Sequence, residues 1–485
     1  MHFLRNIITL SCWLVTSLLA AQSVQRIPTG EVKQLLKKLN VLGSVLYVAA
    51  HPDDENTRLI AYYANEKLFN TAYLSATRGD GGQNLIGPEI RENLGLIRTQ
   101  ELLEARRIDG GAQFFSRAND FGYSKTPMET LSIWDKEKVL EDFVRVIRTV
   151  RPDVIITRFN TLSGTTHGHH TTSAVLALEA FDLAGDSSVY PDQLKTIEVW
   201  QPKKLFWNTS SWFYARNKVQ FNPEGLYSIN VGTYNPNLGI SYTEMAAQSR
   251  SMHKSQGFGS TGSRGDELEY LELWRGDSSH TDVFGGIDTS WKRVEKSQKI
   301  AQFLLEAEEV YKVENPKSTL DYLLKARQEL LKMSDQYWKE IKLNEINHTI
   351  MAITGTYLEV ISDDYSYARG ETVKLSVEAI NRIDFPIKLI ELTIEPWGYN
   401  VELDQVMLYN KKIVNDYSLK IPDSIAMTTP YWLNEKSTLG MYHVANKDQI
   451  GGAINEPILK ARFTLAIGDQ YLELTQPIHH KFTDP

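Results

Sequence analysis

Hydrophobic residues along this chain follow three successive spacings. Val45, Leu46, Tyr47, Val48, Ala49 and Ala50 form an unbroken apolar run of strand length that stops at His51-Pro52-Asp53-Asp54-Glu55. A strand covered on both faces has no polar side, so such a run predicts a buried parallel strand leading into a loop and a helix. The unit recurs, with strands expected over 71–77 and 153–159 and helices over 90–108, 136–150 and 170–183. This alternation predicts a Rossmann-like layered α/β domain with a mostly parallel sheet. In such sheets ligands lie outside the carboxyl ends of the strands.

Over 291–350 the spacing becomes three to four. Ile300, Phe303, Leu304 and Ala307 are followed by Leu320, Leu323, Leu324, Ala326 and Leu330, with a break at Glu314-Asn315-Pro316. That predicts a connector of packed helices. Beyond Tyr357 the period is two: Val373, Leu375 and Val377 alternate with Lys374, Ser376 and Glu378, and Phe463, Leu465 and Ile467 repeat the pattern. A C-terminal antiparallel, Ig-like β-sandwich over 351–485 is expected, with the α/β domain spanning 22–290. Ahead of both, Arg5 precedes a charge-free stretch over 7–21 that ends in Leu19-Ala20-Ala21. This predicts a cleaved signal over 1–21 and an exported protein, periplasmic, cell-surface or secreted. The stretch is shorter than the ~20 residues that span a bilayer, and the mature chain is expected to have no transmembrane segment.

Composition narrows the possibilities. With 485 residues, 42% hydrophobic and 23% charged, the chain is a folded protein of two or three domains. Lys and Arg number 52 against 60 Asp and Glu, a net charge of -8, which argues against a nucleic-acid partner. The single cysteine, Cys12, lies within the leader. Disulfides, thiolate zinc sites and cysteine nucleophiles are therefore not expected in the mature chain.

Two clusters carry candidate chemistry. In His51-Pro52-Asp53-Asp54-Glu55 the side chains of consecutive Asp53 and Asp54 leave the backbone in different directions, so one can face a metal and the other an attacking water. The plainer alternative is a helix start in which an Asp caps the first turn. In His167-Gly168-His169-His170, three of the chain's 11 histidines fall within four residues; the alternative is a solvated His-rich loop. Both clusters follow parallel strands, which brings them to one sheet edge. Two imidazoles, one carboxylate and an open fourth position are what a catalytic zinc ion needs.

The sequence resembles the PIG-L/LmbE-type zinc-dependent N-acetylglucosaminyl deacetylases, in a secreted, multidomain form. The resemblance rests on Ala50-His51-Pro52-Asp53-Asp54-Glu55 and His167-x-x-His170, supported by Thr77-Arg78-Gly79-Asp80-Gly81-Gly82, Arg98-x-x-Glu101 and His253-x-x-Gln256, and covers about residues 40–260. It implies His51, Asp54 and His170 as ligands of one zinc ion, or another divalent metal, with Asp53 as general base. His167 would stabilise the developing oxyanion. Arg78, Asp80, His253 and Gln256 are possible substrate contacts, and Arg98 and Glu101 are either an ion pair one helical turn apart or part of the site. Simple members of the family carry Asp where this chain has His169, and some carry Tyr where it has Thr165. The implied activity is removal of acetyl from an N-acetylated sugar or glycoconjugate, and 23 Tyr and 10 Trp supply flat faces for sugar rings. Two alternatives are an amidase acting on another N-acyl glycoconjugate and an inactive carbohydrate-binding module. A nucleotide site is not expected, because no glycine-rich phosphate cradle follows the first strand.

Overall fold

A computed structural model describes residues 27–482, so the expected leader and Cys12 lie outside the described residues. The apolar runs become the centre of a seven-stranded sheet. Its strands are β1 (Ser44–Ala49), β2 (Asn70–Ser75), β3 (Ala112–Phe115), β4 (Val154–Thr157), β5 (Lys204–Thr209), β6 (Tyr227–Asn230) and β9 (Leu268–Arg275), in the order β3-β2-β1-β4-β5-β9-β6. β7 (Tyr234–Asn235) and β8 (Ile240–Ser241) form a separate small pair.

The sheet is parallel from β3 to β5, and β1 pairs directly with both β2 and β4. β9 and β6 add an antiparallel edge that the βα pattern does not signal. All six residues of β1 are buried because both faces are covered. Leu46 and Val48 join Phe143, Val144, Ile147 and Leu176 in one apolar cluster, while Val45 and Tyr47 join Leu59, Ile60, Tyr73 and Phe206 in another.

Helices join the strands: α2 (Thr57–Asn65), α3 (Glu92–Asp109), α5 (Lys136–Val150) and α6 (Gly168–Leu183), with α1 (Thr29–Lys38) ahead of the sheet and α4 (Pro127–Ile133), α7 (Ser211–Arg216) and α8 (Tyr242–Arg250) between the larger elements. Local signals fix their starts: Asn56 caps α2 by accepting from the Arg58 and Leu59 amides, and Asp135 caps α5.

Helices α9 (Gln298–Val310), α10 (Leu320–Leu331) and α11 (Gln336–Thr354) fill the segment expected to be helical. They belong to the same compact unit as the sheet rather than standing apart as a connector. Arg293 pairs with buried Asp153 at 2.8 Å, and the Lys342 ammonium donates to the Val41 carbonyl at 2.6 Å. This compact unit comprises Gly30–Ile353 and, from much later in the chain, Met427–Glu456.

The other unit contains Thr354–Ala426 and the chain from Pro457 onward. It has two four-stranded sheets. One is ordered β14-β11-β10-β17 and the other β13-β12-β15-β16, with β10 (Tyr357–Ser362), β11 (Thr372–Ile380), β12 (Ile387–Glu395), β13 (Tyr399–Val406), β14 (Lys412–Lys420), β15 (Lys460–Ile467), β16 (Gln470–Pro477) and β17 (His479–His480). Pairing is antiparallel except between β10 and β17. Val373, Leu375, Val377, Phe463, Leu465 and Ile467 are all buried, as their alternation predicts. No described helix is long and apolar enough to cross a membrane.

Candidate metal centre

Strands β1 and β4 are neighbours, so the loops that leave their carboxyl ends meet. The first loop carries His51 to Glu55; the second ends at His167, the residue ahead of the first turn of α6. Asp54 lies between two imidazoles: its Oδ2 is 3.0 Å from His51 Nδ1 and its Oδ1 is 3.4 Å from His170 Nε2. Asp54 thus meets the two imidazoles through different carboxylate oxygens. His51, His167 and His170 also have ring nitrogens close enough to share an ion, as do His51, Asp120 and His169. The His167 Nδ1 atom is buried without a hydrogen-bond partner, which suits a ligand or donor role, and the His170 Nδ1, on the ring edge away from Asp54, is likewise unpartnered.

The electrostatics hold the cluster together. Burial works to raise the Asp54 carboxyl, but His170 and His51 outweigh it and hold it well below the ordinary range. For His51, burial works to lower the pKa, and the carboxylates of Asp120 and Asp54 raise it instead. Burial, aided by the neighbouring imidazoles, lowers His170 and takes His167 down to about 3. A neutral His167 still keeps one N–H to donate.

Asp53 is built into the loop with strain. Its backbone is left-handed at φ 86°, uncommon for a residue with a Cβ. Three contacts fix it: its amide donates to Glu55 Oε2 at 2.9 Å, its carbonyl accepts from Arg250 Nη1 at 3.2 Å, and its Oδ1 accepts from Arg98 Nη2 at 2.6 Å. Burial pushes the Asp53 carboxyl up to about 6, with Arg98 acting in the opposite direction. Arg98 also donates to the Pro52 and Gly79 carbonyls. Of the two readings of Arg98 and Glu101, an ion pair or a part in the site, the contact of Arg98 with Asp53 fits the second, while Glu101 accepts from the Ser255 amide and hydroxyl, each at 2.6 Å.

A cleft of about 310 Å³ opens on Asp53, Asp54 and His170 and is lined also by Arg158, Phe159, Trp212, Phe213 and Arg250. The four residues expected as possible substrate contacts do not line it. Arg78 and Asp80 are buried at 1% and 3% exposure. His253 is buried against Glu55, 2.8 Å from Nε2 to Oε1, and Gln256 donates to the Gln83 carbonyl at 2.7 Å. Burial works to raise Glu55, but His253 and Arg106 overcome it and hold the carboxyl at about 2, making Glu55 a charged support beneath the Asp53 amide.

The partner of His51 on the side away from Asp54 emerges only from the fold. His51 Nε2 lies 3.1 Å from His169 Nδ1, and the Asp120 carboxylate is 3.8 Å and 3.7 Å from those two rings. His169 is wholly buried, stacked on Trp134 and edge-on to Phe121. Asp120 sits in the turn Asn119-Asp120-Phe121-Gly122 with no spacing motif to mark it. Arg158 and Trp212 likewise reach the cleft with no local signature, and Arg250 reaches it from just ahead of the His253-x-x-Gln256 motif, which does not single it out.

Loops at the carboxyl ends of two adjacent parallel strands thus gather the histidines and carboxylates of a candidate cation site. Residues 46–181 match the PIG-L family, described as GlcNAc-PI de-N-acetylase. Similar proteins include a mycothiol S-conjugate amidase of Streptomyces coelicolor, 29% identical over 34% of this chain and 60% of that protein. A 1D-myo-inositol 2-acetamido-2-deoxy-alpha-D-glucopyranoside deacetylase of Streptomyces scabiei is 30% identical over 34% of this chain and 55% of that protein. The chain thus spans somewhat over half the length of these curated relatives. Among solved structures, N,N'-diacetylchitobiose deacetylase from Pyrococcus horikoshii aligns with 55% of this chain and all of that one, at 14% identity and a TM-score of 0.35.

Proposed function

We propose that this protein is a zinc-dependent hydrolase that removes acetyl from an N-acetylated sugar or glycoconjugate. The observation that carries the reading is Asp54 set between His51 and His170 while adjacent Asp53, turned by its left-handed backbone, faces the same cleft. His51, Asp54 and His170 would hold the ion, which when bound lowers the pKa of water and polarises an amide carbonyl. Asp53 takes the proton of the attacking water, and its raised pKa brings it nearer to neutral pH, where a base both accepts and returns a proton. His167 donates its N–H beside the oxygen on which charge develops, and the proton then passes to the leaving amine. Trp212, half exposed, offers a flat apolar face, and Arg158 and Arg250 offer donors, a lining suited to a hydroxyl-rich ring. The charge-free stretch over 7–21 places the activity outside the cytoplasm in this reading.

The test is amine release from a panel of N-acetylated mono- and disaccharides by the zinc-loaded chain, beside Asp53→Asn. Turnover in the wild type, with kcat lowered about 10²- to 10⁴-fold and zinc retained in Asp53→Asn, is expected. Equal turnover in that variant would remove Asp53 as the base. Release confined to substrates with larger acyl groups would instead favour the amidase reading, and binding without release would favour the carbohydrate-binding module.

A further inference from the structure

Arg78 is an almost wholly buried guanidinium in the turn after β2, and it has no carboxylate partner. Burying a cation is costly unless its donors are met; Nε is buried without a partner, and most of the partners of the two terminal nitrogens come from Met427–Glu456. Arg78 Nη1 donates to the Ala453 carbonyl at 2.9 Å, and Nη2 donates to the Gly452 carbonyl at 3.1 Å and the Tyr431 hydroxyl at 3.0 Å. Trp432 stacks on the guanidinium at 3.4 Å and Phe115 at 4.2 Å. Two residues on, Asp80 accepts a hydrogen bond from the Tyr442 hydroxyl. The segment is tied to the sheet edge as well, since the Phe115 amide donates to the Gly451 carbonyl and the Tyr442 amide to the Arg117 carbonyl.

Between these two anchors lies Gly79, and its carbonyl holds Arg98. The turn closes tightly on that guanidinium: a Cβ at Gly79 would stand 2.4 Å from Arg98 Nη1, and one at Gly82 2.5 Å. The other side of Arg98 grips Asp53 at 2.6 Å. A continuous path of hydrogen bonds and packing therefore runs from Met427–Glu456 through the 78–82 turn to the carboxylate beside the cleft.

We infer that the 427–456 segment is a working part of the active-site shell: Tyr431, Trp432 and Tyr442 are positioning residues that, by fixing Arg78 and Asp80, set Arg98 and hence the aim of Asp53. The inference rests on the reading of Asp53 as the base. It also gives a physical reason for the chain to carry this long segment between β14 and β15.

The decisive comparison uses the full zinc-loaded chain with Trp432→Leu and Trp432→Phe. The Trp432 indole nitrogen has no hydrogen-bond partner, so the phenyl ring keeps the stacking face and removes no bond. A small misplacement of a catalytic group can cost on the order of 100-fold in rate. Trp432→Leu is expected to lower kcat about 10- to 100-fold, with KM and zinc content close to wild type, and Trp432→Phe to restore kcat to within about threefold. Unchanged kcat in Trp432→Leu would overturn the inference. So would an equal loss in both variants, or a loss that follows zinc content. Should Trp432→Leu not fold, Tyr442→Phe removes only the hydroxyl on Asp80 and is read by the same split between kcat and KM. If the wild type cleaves no amide, the hydrolase reading fails by itself. The inference is then decided by amide hydrogen exchange over 51–55: faster exchange in Trp432→Leu alone supports it, and identical exchange in all three proteins overturns it.

Discussion

At the scale of single residues, this protein places several charged groups where water cannot reach them and gives many of them a countercharge. Arg106 meets Glu55 and Asp109, Arg98 meets Asp53, and Arg293 meets Asp153. Asp80 is different. Its Oδ1 accepts from Tyr442, but its Oδ2 is buried without a partner, and burial pushes the carboxyl up to about 6 against the opposing pull of the Tyr442 hydrogen bond. An unfolded Asp titrates near ~3.9, so the folded protein holds this proton more tightly. The contribution to stability is then full below pH ~4 and lost as pH rises through about 6, in total roughly 2–3 kcal/mol. Asp80→Asn keeps an acceptor for Tyr442 and cannot ionise. Urea unfolding at pH 4 and pH 7 is expected to show a smaller fall in stability for Asp80→Asn than for the wild type. An equal fall in the two proteins would mean that Asp80 is already ionised in the fold at pH 4.

Secondary-structure elements were legible wherever periodicity and burial point the same way. The helix expected over 136–150 is α5, and the apolar run at 45–50 is β1, because a strand covered on both faces leaves no polar position to blur the signal. The antiparallel edge of β9 and β6 was not legible, since Leu268–Arg275 has no regular alternation, burying Glu269 while Leu268 is exposed, and nothing local fixes its partner. The His-rich loop shows what an element's start can require. Gly168 opens α6 between His167 and His169, and a Cβ there would stand 2.3 Å from the Thr126 carbonyl and 2.5 Å from the Ser124 and Thr130 hydroxyls. Gly168→Ala must therefore displace the turn that carries both His167 and His170. Its expected cost is about 1–3 kcal/mol in stability, read by urea unfolding, together with weaker zinc binding at calorimetry. Wild-type zinc affinity in that variant would show that the loop adapts without moving its imidazoles.

Across the whole molecule, what sequence could not reveal is long-range. The histidine and aspartate motifs announce themselves by spacing, and the fold brings His51, Asp53, Asp54, His167 and His170 to one sheet edge. Asp120 beside His51 and His169, and Arg98 on Asp53, depend on contacts between segments far apart in the chain. The expectation that Arg78 and Asp80 face substrate gives way for the same reason: residues more than 340 positions later cover them. Segment 427–456 leaves the alternating pattern of the sandwich without declaring where it goes, and it joins the α/β unit.

The account as a whole depends on one ion held by His51, Asp54 and His170. Calorimetric titration of the metal-free full chain with zinc, alongside His170→Ala, tests this most directly. Binding of about one zinc per chain, weakened by at least roughly 100-fold in His170→Ala, is the predicted result. No binding to the wild type, or the same affinity in both proteins, would contradict it.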